Sequence, residues 1–276
     1  MKSSWAALLT ASLTACASPP PSMPAAFDNA GARLAFTLDL PEGRGPFPAV
    51  VLGHGSGRVT RDQLRFAAAR FTRFGFAVLR FDKRGVGEST GQFVFVGTRD
   101  SPTVFPQLAS DIDAGVRFLR TRPEIDPRRI GISGWSQAGW ILPIVAHDLG
   151  DVAFMVIMSG PVCSVGLEMY YSEFAEGTTT PLDLVYPKMR DFQGPSGFDV
   201  VPTLEAIDTP GLWLFGSDDR SIPERDSIRN LTALAASGKP FEWKEYPGLD
   251  HPLSSDIWGD VERWLREARH SSVMRR

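Results

Sequence analysis

Ile132-Ser133-Gly134-Trp135-Ser136-Gln137-Ala138-Gly139-Trp140 decides how the rest of the chain is read. Arg129 to Trp135 has the apolar character of a buried strand, and Ile141, Leu142 and Val145 follow at helical spacing. A strand therefore turns into a helix, with Ser136 at the bend. A serine hydroxyl is a weak nucleophile unless it is held clear of the surface, next to a base and to donors that stabilise the oxyanion it creates. A strand-to-helix elbow supplies that exposure. The expectation is that Ser136 is the nucleophile of a hydrolase and that other strand ends carry its partners.

On the N-terminal side, Ala49 to Gly53 and Phe76 to Phe81 are short, continuous apolar runs. Such runs mark strands buried on both faces of a parallel sheet. Between them, Thr60 and Gln63 stand in capping-box spacing, Leu64, Ala67, Ala68 and Phe71 share a helical face, and Gly75 ends the helix. Leu108, Ile112, Val116 and Leu119 mark a second helix. On the C-terminal side, Val152 to Ser159, Leu212 to Gly216 and Phe241 to Tyr246 read as strands, with helices from about Pro223 to Ser237 and Ser254 to Arg269. Leu34 to Leu40 alternates as a half-buried strand does. This alternation predicts an α/β chain with a mostly parallel sheet wrapped by helices on both faces, and a site at the carboxyl ends of the strands. The stretch 162–208 has no buried strand but carries Tyr170, Tyr171, Phe174, Tyr186 and Phe192, and is expected to form a small inserted cap.

Three strand ends carry the chemistry. Gly134-x-Ser136 resembles the nucleophile elbow of the α/β-hydrolase superfamily, in which the triad runs serine, acid, histidine along the sequence. Ser217-Asp218-Asp219-Arg220-Ser221-Ile222-Pro223 resembles the superfamily's acid loop, which implies Asp219 as the acid, with Asp218 as the alternative. Pro247-Gly248-Leu249-Asp250-His251-Pro252 resembles its histidine loop, which implies His251 as the base. Gly53-His54-Gly55-Ser56-Gly57 resembles the His-Gly oxyanion loop, so the backbone N–H groups of Ser56 and of Gln137 are the implied donors. Asp82 to Ser89 resembles the superfamily's Asp-x-Arg-Gly-x-Gly-x-Ser turn and is read as structural. The elbow departs from the usual pattern in carrying Ala138 at its fifth position.

The bland readings of these pieces are a chance G-x-S string, a turn-capping Asp pair and a filler histidine. Their arrival at three strand ends in the right order favours catalysis over each. His147 falls within the helix after the elbow, His270 lies in the tail, and none of the histidines has metal-ligand spacing. The preceding strand end, Ser159-Gly160-Pro161, offers no carboxylate to compete with the acid loop. The two glycine loops are not dinucleotide fingerprints, because Arg58 and Thr90 stand where a third glycine is needed. No metal or organic cofactor is expected.

The resemblance implies a serine hydrolase that cleaves carboxylic esters through an acyl-enzyme, acting on a small-molecule ester or amide. Cap aromatics, with Trp135 or Trp140, would line its pocket. Gly134-Trp135-Ser136-Gln137 is also similar to prolyl-oligopeptidase-type peptidases; their large N-terminal propeller has no counterpart here, so an esterase is the first expectation and a peptidase or amidase the alternative. A non-catalytic surface binding protein on the same scaffold is the reading from a different class, and three intact triad residue types oppose it.

With 276 residues, 43% hydrophobic and 22% charged, and a net charge of -3, the protein has no basic surplus to hold a nucleic-acid backbone. Its N-terminus is a separate matter. Lys2 precedes an apolar run from Trp5 to Ala15, too short to span a bilayer but suited to a signal-peptide core. Leu13-Thr14-Ala15-Cys16 resembles the lipobox of bacterial lipoproteins, which implies a signal peptide over 1–15 and a lipid-modified Cys16. Residues 16–30, with Pro19, Pro20 and Pro21, then form a stiff tether, and the hydrolase domain covers 31–276. Ala17 replaces the aspartate associated with inner-membrane retention, so the implied place is the periplasmic face of the outer membrane. With Cys16 acylated only Cys163 remains, and no internal disulfide can form. No feature specifies an oligomeric state.

Overall fold

Strands with apolar residues at successive positions need cover on both faces, and the sequence supplies it by placing a helix after almost every strand. The computed structural model describes residues 25–253 and 257–270, without the side chains of 268–270. Its eight strands are β1 (Ala26–Asn29), β2 (Ala32–Asp39), β3 (Phe47–Leu52), β4 (Ala77–Phe81), β5 (Ile125–Trp135), β6 (Met155–Met158), β7 (Gly211–Gly216) and β8 (Phe241–Tyr246). They form one sheet in the order β1-β2-β4-β3-β5-β6-β7-β8. β1 with β2 and β2 with β4 pair antiparallel, and every pair from β4 across to β8 is parallel. The expected mostly parallel sheet is therefore present. β8 closes one edge with the sequence FEWKEY, whose charged side chains protect that edge from further pairing.

The helices are α1 (Arg65–Arg73), α2 (Ser101–Arg120), α3 (Ala138–Leu149), α4 (Val165–Ala175), α5 (Leu182–Val185), α6 (Val201–Glu205), α7 (Glu224–Ala236) and α8 (Trp258–His270). Phe105, Ile112 and Val116 of α2, Ile141 and Val145 of α3 and Leu231 of α7 pack on one face of the sheet. Ala68 and Phe71 of α1 and Trp258, Val261 and Leu265 of α8 pack on the other. Full burial of each large apolar residue contributes about 1.5–3 kcal/mol, so these two layers hold the strand ends where the chemistry is expected. The capping box of Thr60 and Gln63 opens a short 3-10 turn that runs into α1.

Two boundaries differ from the sequence reading. β1 lies within the stretch assigned to the tether: a turn through Ala30 (φ 43°) and Gly31 (φ 75°) folds it back onto β2, so the sheet begins before 31. The segment 162–208 divides as well. Tyr171, Ala175, Val185 and Met189 form a small cluster of their own. Val162, Val165, Val200, Leu204 and Ile207 join the main core instead. Only the middle of the segment is a cap, and its ends complete the crossover from β6 to β7. Residues 1–15, Cys16 and the proline run lie outside the described residues, as do Ser254 to Asp256, where α8 was expected to begin, and residues 271–276.

Candidate active site

The elbow forms as its sequence requires. Ser136 sits in the left-handed region at φ 53°, a conformation that costs a non-glycine residue roughly 1–3 kcal/mol and is retained where the surroundings impose it. Its N–H donates to Met158 C=O at the end of β6 (2.9 Å), and its C=O accepts from Gly139 N–H (2.8 Å) as α3 begins. Ala138 is tolerated because position 134 is glycine: a Cβ there would come within 2.5 Å of the Ala138 methyl. The close approach of α3 to the sheet falls one residue later, where a Cβ on Gly139 would meet Gly160 at 2.7 Å.

Asp219 and His251 meet across the ends of β7 and β8. His251 Nδ1 lies 2.8 Å from Asp219 Oδ2, and with the carboxylate as acceptor the proton sits on Nδ1. Asp219 is fully buried, and its other oxygen accepts the N–H groups of Ser221 (2.8 Å) and Ile222 (3.1 Å). Asp218 points outward, exposed, and takes the Ser217 hydroxyl at 3.0 Å. The two carboxylates offered by the sequence are thus separated by geometry.

β6 connects these loops to Ser136. Met158 accepts the Ser136 N–H, and the next residue, Ser159, donates its hydroxyl to His251 C=O (2.7 Å). Ser159 also has positive φ (46°), which turns its side chain across the strand end. The sequence reading used this strand end only for its lack of a carboxylate and missed the serine; the available signal is a hydroxyl immediately before a Gly-Pro stop.

The loop from Gly53 to Gly57 runs alongside the elbow. A Cβ on Gly55, the residue before Ser56, would lie 3.7 Å from that of Ser136. Ser56 is exposed, whereas Gln137 is buried at 4% exposure. His54 anchors the loop from beneath. Its Nε2–H donates to Phe81 C=O (2.7 Å), and its ring meets Phe81 edge-on at 4.5 Å. Burial pushes its pKa down to about 3, so this imidazole stays neutral. His147 lies at the exposed end of α3 beside Asp148 (3.0 Å), away from these loops.

Trp140 is a core residue. It stacks on Phe105 and donates its indole N–H to Cys163 C=O (2.7 Å). Trp135 packs against Trp258 of α8. The Trp140 indole is therefore held in the core rather than in a pocket wall, whereas Trp135, beside Ser136, is only half-buried. The cap touches the site through Tyr171, whose hydroxyl donates to the backbone carbonyl of Asp219 (2.7 Å). Glu168 on α4 is half-buried near Glu176 and Asp219; burial first, and then those two carboxylates, raise its pKa to about 8. Among the described residues no group of His, Cys, Asp and Glu is arranged to hold a metal ion, and no helix is long and apolar enough to cross a membrane.

The model of the prolyl oligopeptidase family matches residues 62–268, which take in the elbow, the acid loop and the histidine loop. The chain belongs to the prolyl oligopeptidase family. Its curated relatives include the acylamino-acid-releasing enzyme of Rattus norvegicus, 25% identical over 236 residues, covering 79% of this chain and 31% of the relative. Acyl-coenzyme A thioesterase 3 of Mus musculus is 25% identical over 223 residues, covering 75% of this chain and 48% of the relative. The chain thus spans between about a third and a half of the length of these relatives. Among solved structures, Est1E from Butyrivibrio proteoclasticus, determined with ferulic acid, superposes with a TM-score of 0.64 at 17% identity, over 90% of this chain and 100% of that one. The Pyrococcus furiosus esterase Pf2001 gives 0.64 at 17% identity, over 86% and 88%. At these identities the likeness shows the fold alone, and it is the α/β-hydrolase fold. The family reached is the one whose peptidases stood as the alternative in the sequence reading, and membership by itself does not separate ester from peptide cleavage.

Proposed function

We propose that the protein cleaves carboxylic esters by a Ser136–His251–Asp219 triad through an acyl-enzyme. The observation that carries this reading is the 2.8 Å contact between His251 Nδ1 and Asp219 Oδ2, tied through the end of β6 to a serine held at φ 53°. His251 Nε2 takes the Ser136 proton as Oγ adds to the ester carbonyl carbon. The resulting oxyanion is held by the N–H groups of Ser56 and Gln137. Collapse breaks the bond to the alcohol oxygen, which takes the proton from His251, and the acyl group remains on Ser136. Water then repeats the sequence, passing one proton to His251 and adding its oxygen to the acyl carbon, and Ser136 is released with its proton restored. Asp219 fixes the imidazole tautomer and stabilises its cationic form.

A fluorophosphonate probe tests the reading, with labelling expected at Ser136 and abolished in Ser136→Ala. An unlabelled, folded wild-type protein would refute it. The family membership and the acylamino-acid-releasing relative favour one second reading, hydrolysis of an acyl-peptide or amide bond. Assaying aryl esters, thioesters and acyl-amino-acid amides side by side separates the two, since kcat/KM on the ester should exceed that on the amide by more than their intrinsic reactivities account for. Equal or inverted values would favour the amidase.

The proposal includes export and anchoring. The Lys2 and Trp5-to-Ala15 pattern, followed by Leu13-Thr14-Ala15-Cys16, supports cleavage before Cys16 and lipid modification of Cys16, with the enzyme held on the periplasmic face of the outer membrane. Radiolabelled palmitate should enter the wild type and not Cys16→Ser; equal incorporation into both would remove the anchor.

A further inference from the structure

The turn after β4, read from the sequence as structural, places a cation against the site. Asp82 accepts the N–H groups of Arg61 (2.7 Å) and Glu88 (2.9 Å), and Arg84 pairs with buried Asp111. These contacts hold the turn rigidly. Lys83, between them, does something different. It is 2% exposed, and among the described residues no carboxylate lies within ion-pair distance of it. Its Nζ donates to Gly55 C=O (2.7 Å) and to Gln137 Oε1 (2.9 Å), and faces the Phe93 ring at 5.5 Å.

Those two acceptors belong to the two segments that carry the oxyanion donors of the proposed mechanism. The Gly55 carbonyl and the Ser56 N–H are the two ends of one peptide unit. A trans peptide is planar with its C=O and N–H opposed, so fixing the oxygen at Lys83 directs the Ser56 N–H the opposite way. A positive charge at the carbonyl end also polarises that unit and makes its N–H a stronger donor. The second hydrogen bond fixes Gln137, whose backbone N–H is the other donor. One ammonium, with three N–H bonds to give, thereby sets both halves of the hole. Burying a lysine with no counter-ion is unfavourable, and desolvation lowers its pKa to about 8. A residue serving only to fill space beneath a loop would not need to carry that cost.

We infer that Lys83 is a positioning residue that orients the Ser56 and Gln137 N–H groups toward the oxyanion. The inference rests on the triad reading above, and the test keeps the two separable. Substrates are p-nitrophenyl acetate and its thiono analogue, in which sulfur replaces the carbonyl oxygen and accepts hydrogen bonds weakly. Removing one oxyanion donor outright lowers kcat by about 100–1,000-fold, so disorienting them should cost about 10–100-fold. Lys83→Met should show that loss in kcat on the oxygen ester with KM within about twofold, and a much smaller loss on the thionoester, so that the preference for oxygen collapses. Lys83→Arg, which restores a buried cationic donor, should recover part of it. Gln137→Met cuts only the second tether and leaves the backbone donors in place; it should show the same pattern more weakly, and it carries the test if Lys83→Met does not fold. Equal losses on both substrates, or none, would overturn the inference. A wild type that fluorophosphonate does not label at Ser136 would overturn the triad reading, and this inference with it.

Discussion

The loops at the carboxyl ends of the central strands and the cap between β6 and β7 meet where Tyr171 donates to Asp219 C=O, but they are built differently. In the loops, polar groups are each fixed by a near partner: Asp219 by two N–H groups of its own turn, the Ser136 N–H by the Met158 carbonyl, and the His251 carbonyl by the Ser159 hydroxyl. At the cap, two carboxyl groups are taken out of water: Glu168 is half-buried, and Glu224, on α7, is 1% exposed. Glu168 is shifted up to about 8, and Glu224, beneath the cap, is raised to about 7 by burial although Tyr186 donates to it. The loops are preorganised for one geometry; the cap is a cover whose electrostatics change within the neutral pH range. Substitutions in the first should therefore change turnover by orders of magnitude, and those in the second should change stability and its pH dependence.

The largest expected effect belongs to the loops. Ser136→Ala or His251→Ala should lower kcat by about a million-fold in steady-state ester hydrolysis, leaving residual catalysis from the oxyanion donors and binding. Near-native turnover in either variant would place the chemistry elsewhere. Next comes the contrast between neighbouring carboxylates. Asp219→Asn removes the acceptor that sets the imidazole tautomer and should cost on the order of ten-thousand-fold. Asp218→Asn, on an exposed side chain, should stay within a few-fold of wild type. The reverse ranking would mean that the carboxylate paired with His251 in the structure is not the one used in turnover.

That ranking follows from features legible in the sequence. The elbow, the acid loop and the histidine loop are local strings at strand ends, where sheet topology alone brings them together, so spacing and order suffice. Ala138 reads as a departure, yet the tight helix–strand approach is carried by Gly139 against Gly160. Other features have no local signal. β1 reads as tether because its pairing with β2 depends on a two-residue turn at Ala30-Gly31. The cap helix α5 spans only Leu182–Val185, too short to show a periodicity, and the 3-10 turn that follows it has a different one. Lys83 stands inside a familiar turn motif, and nothing in the spacing tells that its side chain reaches a carbonyl on another loop.

The join between the two regions should respond more modestly. Tyr171 is fully buried and donates to Asp219 C=O, so Tyr171→Phe leaves the ring packing intact and removes one hydrogen bond. The expected loss is about 1 kcal/mol of stability, rising toward about 3 kcal/mol if the carbonyl is left without any partner. Chemical denaturation reads it directly. A fall in kcat beyond about tenfold in the same variant would show that the cap helps to set the acid loop, and would blur the distinction between cover and catalytic floor.

The smallest effect on turnover is the one that isolates the cap. Glu168 ionises near 4.5 when unfolded and near 8 in the fold, because burial and then Glu176 and Asp219 disfavour its charge. Between those values the folded state binds more protons than the unfolded state, so raising the pH must lower stability through that window, with no further loss above about 8. Glu168→Gln cannot titrate and should lack this part of the slope. Glu224 gives a slope of the same sign, and His54, lowered to about 3, gives one of opposite sign below 6.5. Both remain in the variant and cancel in the difference. The Lys83 window, from about 8 to 10.5, opens above the range needed. Thermal midpoints of wild type and Glu168→Gln measured from about pH 5 to about pH 7.5 should therefore diverge steadily in favour of the variant, while kcat on a neutral ester stays within a few-fold. Parallel curves would mean that Glu168 is solvated well enough to ionise normally, and that the cap is more open over the acid loop than its burial implies.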